Sequence, residues 1–102
     1  MNFEGRCVIY GDHPSLPGHF PGAPIVPGVV ILDEVLAALF NWRKDSHPIT
    51  IRAAKFLAPL KPEQPFTIAL SPAADRADEI DFRCRIDNLI IAEGRLQIAQ
   101  PS

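Results

Sequence analysis

Between Val29 and Phe40 every residue is apolar except the adjacent acids Asp33 and Glu34. Pro27 and Gly28 precede this run and Asn41-Trp42-Arg43-Lys44 follows it, which predicts one helix from Gly28 to about Lys44. Pro27 suits the helix start, where its missing N–H goes unneeded. Arg43 and Lys44 suit the negative end of the helix dipole. A helix that is hydrophobic nearly all round has no solvent face and must be wrapped on most sides. The run is shorter than the roughly 20 residues that span a bilayer, so the wrapping has to be protein.

The rest of the chain supplies it. Residues 3–10 alternate as a strand with Phe3, Cys7 and Ile9 on one face. Residues 49–60 begin in alternation and change phase near Ala53-Ala54, the mark of a bulge. Residues 65–70 place Phe66, Ile68 and Leu70 on one side, and residues 79–87 place Ile80, Phe82, Cys84 and Ile86 inward with charges outward. Asp87-Asn88 forms a tight turn into the last strand, 89–98, which Gly94 kinks. The order is strand, loop, helix, then four strands. It predicts an α+β fold in which one antiparallel sheet curls around a single long central helix, in one domain over residues 1–102.

The loop between the first strand and the helix is stiff. Pro14, Pro17, Pro21, Pro24 and Pro27 are five of the eleven prolines of a 102-residue chain, and each ring fixes φ. That suits a loop that holds a side chain in place, and His19 lies within it. An imidazole exchanges a proton near neutral pH. Fourteen residues on, the apolar helix carries Asp33 and Glu34. A carboxylate taken out of water resists ionising and keeps a proton to donate. The two acids lie about 100° apart around the helix, and spacing alone leaves open which one acts. The helix start at Gly28 and Val29 offers unpaired N–H groups, and Gly28 permits close approach of a substrate. A base, a buried acid and a carbonyl-polarising helix end can remove a proton beside a carbonyl and expel a hydroxyl. His13 and His47, each followed by proline, read as turn residues.

Composition narrows the classes. Hydrophobic residues make up 47% and charged residues 22%, as in ordinary globular domains, and the net charge is −2. No basic stretch marks a nucleic-acid footprint. Arg43, Lys44, Arg52, Lys55 and Lys61 read as solvated surface or as a dock for an acidic partner. Cys7 and Cys84 lack CxxC spacing and read as buried thiols. There is no HxxxH or CxxC spacing, so no metal or cofactor is expected. The N-terminus lacks a signal-peptide pattern, which makes the cytoplasm the expected compartment, with no membrane partner. A core this small gains burial by oligomerisation.

GHFPGAPIVPGVVILDEV (18–35) resembles the signature of the beta-hydroxyacyl-acyl-carrier-protein dehydratases of the hotdog fold, and KFLAPLKPEQPF (55–66) resembles the strand-turn-strand segment that follows their helix. Where that family writes proline-glycine-aspartate, this chain has Pro62-Glu63-Gln64. The resemblance registers the family's acid on Asp33. It implies His19 as base and hydroxyl partner, Asp33 as the acid assisting loss of water, and the Gly28 N–H as donor to the thioester carbonyl. Val29 N–H is a second donor, and Phe20 lines the substrate site. It implies dehydration of a beta-hydroxyacyl thioester on acyl carrier protein to a trans-2-enoyl thioester, in fatty acid, aryl polyene or related acyl-chain biosynthesis. It further implies a homodimer or dimer of dimers, in which each site takes histidine from one subunit and acid from the other. An acyl thioesterase and a non-catalytic acyl or carrier-binding module are the alternatives on this fold.

Overall fold

The computed structural model describes residues 2–10, 25–44 and 49–98. In chain order these form β1 (Phe3–Cys7), α1 (Gly28–Trp42), β2 (Ile49–Phe56), β3 (Phe66–Pro72), β4 (Glu79–Ile86) and β5 (Leu89–Ile98). The five strands make one sheet in the order β1-β3-β4-β5-β2, every neighbouring pair antiparallel. This is the expected α+β arrangement. β1 and β2 are the two edges, so α1 lies on the path that carries the chain from one edge of the sheet to the other.

Alternation builds the inner face. Ile68, Cys84 and Ala92 share one cross-strand rung, Leu70, Phe82 and Gly94 the next, and Pro72, Ile80 and Leu96 the third. Apart from Gly94 and Pro72 all are buried. In the middle rung the Phe82 ring covers Gly94. A Cβ on residue 94 would come within 2.6 Å of the ring and would also collide with the Ala53 carbonyl oxygen. A backbone oxygen in the neighbouring strand has little room to yield, so only glycine fits.

Two bulges adjust the sheet. Between Ile51 and Ala53 the pairing of β2 with β5 shifts, leaving Arg52 as the extra residue, next to the expected phase change. Between Cys84 and Arg85 the pairing of β4 with β5 shifts as well, and Ile91 and Ala92 are buried in succession. The Ile91 carbonyl accepts the N–H groups of Leu57 at 2.8 Å and Ala58 at 3.3 Å. Thus β2 ends at Phe56, short of the expected Leu60. Pro59, which has no N–H to give, follows at once. β1 likewise stops at Cys7 and not at Tyr10, yet Ile9 stays buried and its carbonyl accepts the Glu63 N–H at 2.6 Å.

The largest departure concerns α1. Its apolar run predicts wrapping on most sides, but within one chain Val30, Ile31, Val35 and Leu39 alone are buried, while Val29, Asp33 and Ala37 are exposed. The reason is geometric. One sheet has one inner face, and it can cover only one side of a cylinder about 10 Å across. The helix ends at Trp42, two residues before the expected Lys44. Its indole ring packs against Phe3 (centroids 6.3 Å apart, 36° between planes), and the Arg43 guanidinium stacks 4.5 Å above it. These contacts tie the end of α1 to β1.

On the outer face Glu79 is only 4% exposed and lies among Arg95 (3.3 Å), Arg52 (4.0 Å) and Arg76 (4.0 Å). Arg95 also bonds Asp81 at 2.8 Å and Asp75 at 3.2 Å, and these carboxylates hold its guanidinium above its ordinary range. Most of these charges are exposed, so they fix register more than they add stability.

Glu63 adopts φ 65° in the turn where the resembled family has glycine. The Cβ is unfavourable there by about 1–2 kcal/mol, partly offset by the entropy a glycine adds to the unfolded chain. In urea unfolding, Glu63→Gly is expected to raise stability by about 0.5 kcal/mol. Gly94→Ala is expected to lower it by about 2 kcal/mol or more through the forced contact with Ala53 and Phe82.

Candidate active site

The chain enters α1 through a short pinned segment. The Val26 N–H donates to the Leu60 carbonyl at 2.8 Å, fixing the entry against the stretch that follows β2. Pro27 is extended (φ −61°, ψ 145°), and its carbonyl accepts the Val30 N–H at 3.0 Å and the Ile31 N–H at 3.5 Å. No side chain caps the helix. The Gly28 and Val29 amides therefore have no acceptor among the described residues. They lie at the positive end of the helix dipole.

Beside them is a depression of about 510 Å³ between the start of α1 and residues 56–60. Ile25, Ile31, Leu57 and Leu60 contribute to its apolar walls. Phe56 forms one side, with its ring laid on Gly28. A Cβ at residue 28 would meet the ring carbons at 2.7 to 3.0 Å. Free N–H groups beside an apolar recess interact strongly with a developing negative charge, because little water competes for it.

Gly28 and Val29 are thus the first two residues of the helix, where the sequence places them, and Val29 is 63% exposed. Asp33 follows five residues on, about 7.5 Å along the axis. It shares the uncovered side of α1 with Val29 and Ala37, so the described residues of its own chain do not supply the apolar setting expected for it. Glu34 turns the other way. It lines a smaller cavity of about 170 Å³ against β1, near the Cys7 thiol. His19, Phe20, His13 and His47 lie outside the described residues. Ile25, Leu57 and Leu60 have no role in the sequence-based site. The signal that could have found them is the apolar residues that neighbour Pro24, Pro27 and Pro59 in the sequence.

Of the basic residues, Arg52 pairs with Glu79 and Arg43 stacks on Trp42, while Lys44, Lys55 and Lys61 are exposed. Among the described residues no cluster of three or more metal-binding side chains occurs, and no helix is long and apolar enough to cross a membrane.

A family model described as ApeI-like, ApeI dehydratase, matches residues 1–95. The chain belongs to the ApeI-like dehydratase family. In line with this, it is 33% identical over 97 residues to the 3-hydroxyacyl-[acyl-carrier-protein] dehydratase FabZ of Chlamydia trachomatis serovar L2, with 83% of this chain and 63% of that protein covered. Across such curated relatives the chain spans a little under two thirds of their length. Among solved structures, the dehydratase heterocomplex ApeI:P from Xenorhabdus doucetiae superposes with a TM-score of 0.80 at 21% identity, covering 97% of this chain and 88% of that one. The fluoroacetyl-CoA thioesterase FlK superposes with a TM-score of 0.69 at 12% identity, covering 97% and 85%. The fold is the hotdog fold.

The two cysteines serve the core. Burial, then the nearby Glu34, pushes the Cys7 thiol up to about 11, and burial, then Cys7, pushes Cys84 up to about 12. Both stay protonated at neutral pH and neither is an activated nucleophile. Unfolding frees them to ionise near 9. Their contribution to stability is therefore complete below pH 9 and declines as pH rises from 9 towards 12. Replacing both by serine is expected to flatten that alkaline loss in pH-dependent urea titrations, whatever it does to stability at pH 7.

Proposed function

We propose that this chain dehydrates a beta-hydroxyacyl thioester carried on acyl carrier protein to the trans-2-enoyl thioester, as a single catalytic domain. The observation that carries the reading is the start of α1: two amides without acceptors among the described residues, beside an apolar recess, with Asp33 five residues after Gly28. The thioester carbonyl accepts from the Gly28 N–H, with Val29 N–H as a second donor. His19 takes the proton from C2, and Asp33 protonates the hydroxyl on C3. The C2–H and C3–O bonds break, the C2=C3 double bond forms and water leaves. A proton passed from His19 back to Asp33 resets the site. Phe20 lines the acyl side.

Asp33 needs a second subunit to leave water. The exposed row Val29, Asp33 and Ala37 supports a partner seated against α1, with histidine and acid coming from different subunits. A second copy is the partner in this reading, in a dimer or a dimer of dimers. The ApeI:P heterocomplex makes a related but different chain the rival that experiment must separate. Exposed Lys55 and Lys61 suit an acidic carrier protein, and two unpaired thiols, Cys84 buried and Cys7 half-buried, suit the reducing cytoplasm. The likeness to FlK favours a second reading, thioester hydrolysis with Asp33 activating water.

Enoyl-thioester absorbance tests the first reading. The protein is expected to dehydrate a beta-hydroxyacyl thioester or hydrate its enoyl product, and His19→Ala and Asp33→Asn are each expected to lose at least about 100-fold. Release of free thiol without enoyl formation would transfer the assignment to the thioesterase. Binding without any turnover would transfer it to a carrier-binding module. Solution mass should be that of two or more copies, and Ala37→Lys, which puts a charge on the exposed helix face that the second copy would cover, should shift it to the monomer. A monomeric parent protein at micromolar concentration would contradict the dimer.

A further inference from the structure

Phe56 is the residue at the candidate site whose position asks for a function of its own. It ends β2, paired to Ala92, and is held by backbone bonding in an edge strand. An aromatic ring of this size could have joined the core, yet Phe56 is 49% exposed. Its distal carbons Cζ, Cε2 and Cε1 all lie within 3.0 Å of where a Gly28 Cβ would be, so the tip of the ring rests on the glycine Cα. On α1 the direction of Cβ leans toward the helix N-terminus. The ring therefore stands beside the Gly28 amide, which has no acceptor among the described residues, and lines the open recess.

This placement limits width at a particular depth. An acyl group whose carbonyl sits on the Gly28 N–H must lay the carbons next to that carbonyl along the Phe56 ring. A straight chain passes a flat wall in van der Waals contact. A methyl branch on the carbons beyond the hydroxyl meets the ring, and the ring cannot retreat towards Gly28, which it already touches. We propose that Phe56 is a specificity-determining residue that selects acyl chains unbranched at C4, just beyond the hydroxyl-bearing carbon. The inference rests on the carbonyl position given under the proposed function, but concerns selection and not the proton transfers.

The test compares the parent protein with Phe56→Ala and Phe56→Leu, each checked for native circular dichroism and an unchanged solution mass. The substrates are pantetheine thioesters of a linear 3-hydroxyacyl chain and of the same chain methylated at C4. Binding of the matching unreactive thioethers is measured by calorimetry. The parent is expected to prefer the linear chain about tenfold or more, the discrimination a single methyl group commands in a tight apolar site. Phe56→Ala is expected to abolish most of that preference by lowering KM for the branched substrate, and Phe56→Leu to lie between. If the parent turns over neither thioester but binds the linear thioether more tightly, and Phe56→Ala removes that preference, the dehydratase reading fails and the selection stands. A preference unchanged in Phe56→Ala, or a parent that binds neither thioether, overturns the role of Phe56.

Discussion

A nearly all-apolar helix has to be covered, and one five-stranded sheet covers one side of it. Everything else in this molecule follows from that mismatch. The covered side, Val30, Ile31, Val35 and Leu39, holds the fold together by hydrophobic burial in one cluster with residues of β3, β4 and β5. The uncovered side, Val29, Asp33 and Ala37, is where the candidate chemistry lies. The same helix thus serves as core on one face and as unfinished surface on the other. On the proposal a second subunit finishes it, and in doing so removes water from Asp33.

The start of the helix is fixed with corresponding care. The Val26 bond to Leu60 and the Phe56 ring on Gly28 anchor it to the segment after β2, and Trp42 on Phe3 anchors the other end to β1. An electrostatic site works only if its donors are already in place when charge develops. Gly28 and Val29 meet that condition because the backbone before them is extended at Pro27 and pinned at Val26. Glycine at 28 is required twice, once for approach to its N–H and once to make room for Phe56.

Much of this was legible in the sequence because half-buried strands advertise themselves. The alternation in β3 and β4 gave their inward residues, and the phase change in β2 lay next to its bulge at Arg52. Periodicity reports which residues are apolar, but not what covers them, so the open side of α1 could not be read. Which of Asp33 and Glu34 meets the sheet depends on the rotation of the helix about its axis, set by Val30, Ile31, Val35 and Leu39 packing inward. That rotation sends Glu34 to Cys7 and leaves Asp33 outside. The contact of Phe56 with Gly28 joins an edge strand to a helix start far away in the chain, and no local pattern encodes it.

The central claim is that a complete site takes residues from two copies. The most direct measurement mixes two inactive proteins, His19→Ala and Asp33→Asn, under conditions that exchange subunits, and follows enoyl-thioester formation. A mixed dimer holds one site with both residues intact, so full exchange at equal amounts should restore about a quarter of the parent activity. A mixture that stays inactive while tagged mixed dimers are recovered would contradict the shared site.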